Sequence, residues 1–225
     1  MERSERSPNP PPHTSLDLTP FLSVMGDTNL GVKEHVLKLI TATLFYRPGL
    51  LAAKLPEIMV TVGNLARLTS LITVDLGPFK HTVDKGIPLR KEAAKIHDIV
   101  LNKLGKLDVE SFMSLLAFML ADDIDVAIAG HGLLVKLAAS HPTEVAGGAV
   151  DFLEPLDKII HKKVKSKDTE TEKEKAADNR RSAMRSVWAM SKIKMLKTNK
   201  KFMTTTERLG KNASLVKMWM GFEAE

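Results

Sequence analysis

The sequence predicts an all-α fold made of a row of antiparallel helix pairs, and three observations carry that prediction. Apolar residues return at helical spacing in segment after segment. Helix-breaking residues close those segments at regular places. Aromatic residues make up only 5% of a chain that is 44% hydrophobic, a helical composition.

Residues 1–19 combine Ser, Pro, Arg and Glu with almost no apolar content, too little to offset their ordering entropy, and read as a disordered tail. After Asp27, Thr28 and Asn29, all capable N-caps, Val32, Val36, Leu39, Ile40, Thr43 and Leu44 mark a first helix ending near Arg47-Pro48. A second is predicted over 49–70, carrying Leu51, Leu55, Ile58, Met59, Val62 and Leu65, with Pro56 near its start or at a kink. A third opens at Pro88, carries Leu89, Ala93, Ile96, Val100, Leu101 and Leu104, and is closed by Gly105. A fourth covers 108–121, a fifth 123–140 up to His141-Pro142, and a sixth 149–164 with Phe152, Leu153, Leu156, Ile159 and Ile160. Ala146-Gly147-Gly148-Ala149 reads as a loose turn opening that sixth helix. Past a charged loop, 176–193 forms an amphipathic helix with Met184, Val187, Trp188 and Met190 on its core stripe, and two shorter helices finish near Phe222.

Overlaying the first helix of each pair on Val32, Leu89 and Val126 puts the chain break at the same offset each time, at Pro48, Gly105 and Pro142. Helix pairs recurring at about 40 residues mark HEAT or armadillo solenoids, where each unit buries its apolar face only against its neighbours. The predicted organisation is therefore a HEAT-type α-solenoid over 20–166 and a basic loop with a C-terminal helical cap over 167–225. A solenoid cut out of a longer array exposes apolar ends, so self-association is an expectation.

Composition narrows function. With no cysteine, disulfides, Cys-ligated metals and thiol nucleophiles are excluded. The histidines His35, His97, His131, His141 and His161 show no HExxH spacing and read as core or surface residues; Asp122, Asp123 and Asp125 read as helix caps, not a cation site. No GxSxG, Walker or GxGxxG pattern occurs, so a binding protein without cofactor or catalysis is expected. The longest apolar stretch, 112–121, is half of the roughly 20 residues a membrane span needs. With no apolar signal region in residues 1–12, the expected compartment is cytosol or nucleus. The net charge of +6 is concentrated in residues 158–201, which hold fifteen Lys and Arg against five Asp and Glu. That segment, with Lys162, Lys163, Lys165, Lys167, Arg180, Arg181 and Arg185, keeps open a second reading as a nucleic-acid or acidic-surface binder, although it lacks interleaved aromatics for base stacking.

The interval from Val32 to Leu89 exceeds that from Leu89 to Val126, which exposes an insertion at 71–87. Its Leu71, Ile72, Thr73 and Val74 favour β-structure, Gly77-Pro78 signals a turn, and residues 79–83 can pair back, so a β-hairpin is predicted to project from the helical body. GPFKHTVD at 77–84, Gly86, and Leu89-Arg90-Lys91 opening the next helix are its most specific features. With VDFLEPL at 150–156 and RSAMRSV at 181–187, they give the chain, in order from Val32 to Val187, a resemblance to the C-terminal region of the cullin-associated, neddylation-dissociated protein family. The resemblance implies HEAT repeats that clasp the adaptor-binding, N-terminal end of a cullin in a cullin-RING ubiquitin ligase, such as the SCF type, so that adaptor and receptor modules exchange. It also implies that Gly77, Pro78, Phe79, Lys80, His81, Thr82, Val83 and Asp84 reach into the adaptor site, with Phe79 as aromatic anchor. A general protein-interaction scaffold is the remaining alternative.

Overall fold

The computed structural model describes residues 19–75, 77 and 80–224; the predicted tail, through residue 18, lies outside them. Helix α1 (Thr19–Ser23) and a 3-10 turn (Val24–Gly26) lead into α2 (Leu30–Tyr46). Asn29 caps α2: its Oδ1 accepts the N–H groups of Gly31 and Val32, two donors that helix geometry leaves unpaired. A 3-10 turn (Pro48–Leu50) precedes α3 (Leu55–Leu65), which is much shorter than the predicted 49–70. Pro56 explains the late start, because a proline is tolerated in the first turn but not deeper. At its end the chain tightens into i→i+3 bonds, with the Arg67 N–H on the Asn64 carbonyl and the Leu68 N–H on the Leu65 carbonyl, and just beyond it the Leu68 carbonyl is taken by the Arg90 guanidinium.

Strands β1 (Leu71–Asp75) and β2 (Lys80–Asp84) form the predicted hairpin, antiparallel, with Leu71 opposite Asp84 and Asp75 opposite Lys80. Helix α4 (Ile87–Ile99) runs on through a π-helical turn (Val100–Leu104) to Gly105, whose φ of 59° ends it. Then come α5 (Val109–Leu120), capped by Asp108, and α6 (Ile124–Ser140), capped by Asp123. The break at His141-Pro142 is followed by a short helix not anticipated from sequence, α7 (Pro142–Gly147), which buries Val145. Gly148 alone separates it from α8 (Ala149–His161), so the predicted loose turn over 146–149 is a single-residue break.

Helix α9 (Glu170–Ser191) starts six residues before the predicted 176. Residues 170–175 carry no apolar periodicity; a capping box nucleates them instead, with Thr169 Oγ1 accepting the Glu172 N–H and Glu172 returning to the Thr169 N–H at 2.7 Å. A 3-10 turn (Lys194–Thr198), α10 (Lys200–Gly210) and α11 (Ala213–Glu223) complete the chain.

The architecture is the expected HEAT-type solenoid. Helices α2, α4, α6 and α9 stack side by side as one row, and α3, α5 and α8 pack behind their partners as a second. Between the rows lies one continuous core: Leu37, Ile40 and Leu44, then Ala93, Ile96 and Val100, then Leu116, Val126 and Leu134, then Phe152, Leu156, Met184 and Val187. On α2 the buried stripe is centred on Leu37, with Val32 and Leu39 only half-buried. Met184 and Met190 are fully buried, as predicted, and Trp188 packs at the margin of the core.

Candidate partner-binding hairpin

The hairpin follows from local chemistry. β-branched Ile72, Thr73 and Val74 suit an extended backbone, and the Asp75 carboxylate accepts the Gly77 N–H at 3.0 Å, folding the chain over at the tip. Residues facing each other across the pair share a face, so Ile72, Val83, Val74 and His81 form one side, and Thr73, Thr82, Asp75 and Lys80 lie on the other. No helix packs extensively on the hairpin. Thr73, Lys80, His81 and Thr82 are exposed, Leu71 is 69% exposed, and Val74, Val83 and Asp84 are half-buried. Of the predicted partner-binding residues, Pro78 and Phe79 lie outside the described residues. Gly77, Lys80, His81, Thr82 and Val83 are brought together along one projecting ribbon.

Asp84 does something different: it roots the ribbon. Its Oδ1 accepts the N–H groups of Ser70 (2.9 Å) and Gly86 (2.8 Å), tying both legs together, while its Oδ2 pairs with Arg90 Nη1 at 2.8 Å. Arg90, 2% exposed, also donates Nη1–H to the Leu68 carbonyl and holds Asp122 through two bonds, Nε to Oδ2 at 2.6 Å and Nη2 to Oδ1 at 2.8 Å. This fork-to-fork geometry is the strongest form of ion pair. Burial opposes the charge on Arg90, but Asp122 and Asp84 outweigh it and raise its pKa further. Burial likewise opposes ionisation of Asp84, yet the two amide bonds and Arg90 hold its carboxyl below the usual range. Gly86 is sterically required, since a Cβ there would sit 2.2 Å from the Leu68 carbonyl oxygen.

Sequence reasoning missed this clamp, and Asp122, read only as a cap, is its far anchor. A signal was present: Arg90 falls in the buried stripe with Ala93, Ala94 and His97, and an arginine inside a core stripe requires carboxylate partners. Asp123 does cap α6, while Asp125 pairs with Lys91 at 2.6 Å.

Beside the hairpin's root, α3 and α5 splay apart around an apolar groove of about 730 Å³ lined by Leu55, Met59, Val60, Leu107, Phe112 and Leu115. His97 forms part of its wall, stacked on Phe112 at 4.7 Å, with its pKa lowered by burial. Among the described residues no group of His, Asp and Glu could hold a metal ion, and no helix is long and apolar enough to cross a membrane. The basic segment is not one face. The Arg181 and Arg185 guanidinium groups lie over the Phe222 ring, whereas Lys162, Lys163, Lys165 and Arg180 line a separate cleft.

The chain thus belongs to the class of HEAT-type helical solenoids, here carrying a rooted, projecting hairpin and a groove open to solvent. Residues 50–210 match the model of a family described as TATA-binding protein interacting (TIP20), TIP120, and the chain belongs to this family. Among curated relatives, it is 30% identical over 173 residues to Cullin-associated NEDD8-dissociated protein 2 of Rattus norvegicus, covering 76% of this chain and 14% of that protein. It is 30% identical over 189 residues to Cullin-associated NEDD8-dissociated protein 1 of Arabidopsis thaliana (82% and 16%), and 30% identical over 181 residues to the protein of that name in Dictyostelium discoideum (79% and 15%). The chain thus spans about one-seventh of the length of these relatives.

Proposed function

We propose that this chain is a non-catalytic cullin-binding module that regulates assembly of cullin-RING ubiquitin ligases by competing with the adaptor at the N-terminal end of the cullin. The observation that carries this reading is the hairpin's construction. Its recognition residues, Lys80, His81 and Thr82, are exposed, while its base is held by a buried Arg90 between two carboxylates. A loop that merely connects α3 to α4 has no use for such a mount; a ribbon that must present itself in one orientation has, because a preorganised element loses less entropy on binding. The names of the relatives, all cullin-associated, supply the partner.

Competition then follows as a reciprocal coupling: two ligands that cannot both be accommodated weaken each other equally. The hairpin supplies the conflict with the adaptor, and the solenoid rows supply the remaining grip. A purified cullin–RING complex pulled down with wild-type chain and with a Phe79→Ala/Lys80→Ala variant, with and without saturating adaptor, tests the reading. Expected is binding that both the variant and the adaptor weaken, by about tenfold or more. Binding that is indifferent to both identifies a general scaffold instead.

A further inference from the structure

The α8–α9 corner holds a second site that the cullin reading does not use. Where the end of α8, the connecting loop and the first turns of α9 meet the start of α6, they enclose a cleft of about 250 Å³. Lys162, Lys163, Lys165, Lys175 and Arg180 converge on it, against two carboxylates, Asp168 and Glu172. Both carboxylates are committed locally. Asp168 Oδ2 accepts the Lys165 N–H at 2.8 Å, and Glu172 Oε2 accepts the Thr169 N–H and hydroxyl at 2.7 and 2.8 Å. Among the described residues, no ion pair or hydrogen bond engages the ammonium groups of Lys162, Lys163, Lys165 or Lys175. Asp125, which feels the charge of Lys175, is itself paired with Lys91.

The wall of the cleft carries unmet hydrogen-bonding capacity. Arg180 donates Nη2–H to the Lys162 carbonyl at 2.5 Å, which pins its guanidinium, but its buried Nε–H has no acceptor. Buried polar groups are nearly always satisfied, so an arginine held in place with a free N–H is half of an interaction. Half-buried Ile124 and Ile159 give one side of the cleft an apolar lining beside the charges.

We infer that this cleft binds a phosphate group, with Lys163 and Lys165 supplying charge and Arg180 fixing its orientation. The size is right for one compact polyanion. Nucleic acid is disfavoured, because no aromatic side chain lines the cleft to stack a base and the lysines gather at one compact corner instead of running along a strand-length groove. The phosphate can be free or carried on a partner chain, since the same oxygens are read in either case.

Calorimetric titration of the full chain at about 0.15 M salt with tripolyphosphate, and separately with a singly phosphorylated peptide, tests the assignment. Saturable binding of at least one probe is expected, weakened about tenfold or more by Lys163→Ala/Lys165→Ala and by Arg180→Gln. Lys194→Ala/Lys197→Ala, which removes the same charge from the same segment outside the cleft, should leave it within about twofold. Preference for tripolyphosphate identifies a free anion and preference for the peptide a phosphorylated partner. Equal losses in the two lysine pairs would show a diffuse field and overturn the site, as would the absence of saturable heat with either probe. A duplex DNA that binds more tightly than both probes and responds equally to both lysine pairs would overturn it in favour of the extended basic reading.

Discussion

At the scale of single residues, the strongest commitments of this chain are polar groups inside its core. His131 on α6 is 1% exposed, and neither ring nitrogen has a hydrogen-bond partner, although the backbone carbonyl of the same residue accepts Ser186 Oγ from α9 at 3.1 Å. Burial pushes its pKa down to about 4. The unfolded chain therefore takes up a proton near pH 6.5 that the folded chain refuses until about 4. Stability is complete above the unfolded value and falls as pH drops between the two, by about 1.4 kcal/mol per pH unit. Urea denaturation at successive pH values should show this loss in the wild type and a flatter slope in His131→Leu, with the variant gaining most at the acid end. His97, also lowered by burial, adds a slope of the same sign that the His131 variant retains. Arg90 is the opposite case, a buried charge that is fully paired. Arg90→Met leaves the Asp84 and Asp122 carboxylates unpaired and should cost about 3–5 kcal/mol by urea denaturation. Adding Asp122→Ala to it should cost less than the sum of the single changes, because the two share one network.

At the scale of elements, the hairpin and its root separate two kinds of requirement. Gly86→Ala puts a methyl group into the Leu68 carbonyl and should destabilise by about 1–3 kcal/mol, with the amides of Ile72 to Val74 exchanging faster while those of α6 do not change. A Thr82→Ala change at the exposed middle of β2 should leave stability within about 0.5 kcal/mol and act only on partner binding. This division explains what could be read from the sequence. The capped helices α5 and α6, and α4 with Pro88 in its first turn and Gly105 at its close, were legible because periodicity and end signals agree, and the hairpin stood out as β-favouring residues in a helical surrounding. The start of α9 was not, because a charged segment without apolar periodicity hides its capping box. The extent of α3 was not, because the tightening of its end into i→i+3 bonds and the long-range bond from Arg90 to the Leu68 carbonyl just past it leave no local mark in the sequence. The clamp joins residues 84, 90 and 122, and no local pattern announces a contact across that distance.

At the scale of the whole molecule, stability should follow position along the row. Each helix pair is supported by its neighbours, so interior units are held on two sides and terminal ones on one. Leu134 on α6 is fully buried between α4 and α9, and Leu134→Ala should cost about 2–5 kcal/mol, whereas Val60→Ala on α3, 68% exposed, should change little. Hydrogen exchange followed by mass spectrometry should rank α6 slowest and α1 fastest. The clamp adds a mechanical property to this array. Asp84 ends the ribbon and Asp122 lies in the turn between α5 and α6, so one arginine connects the hairpin to the junction between two repeats. The ribbon is consequently aimed like a lever whose fulcrum lies in the next unit, and any curvature a partner imposes on the solenoid is delivered at the tip as a change of direction.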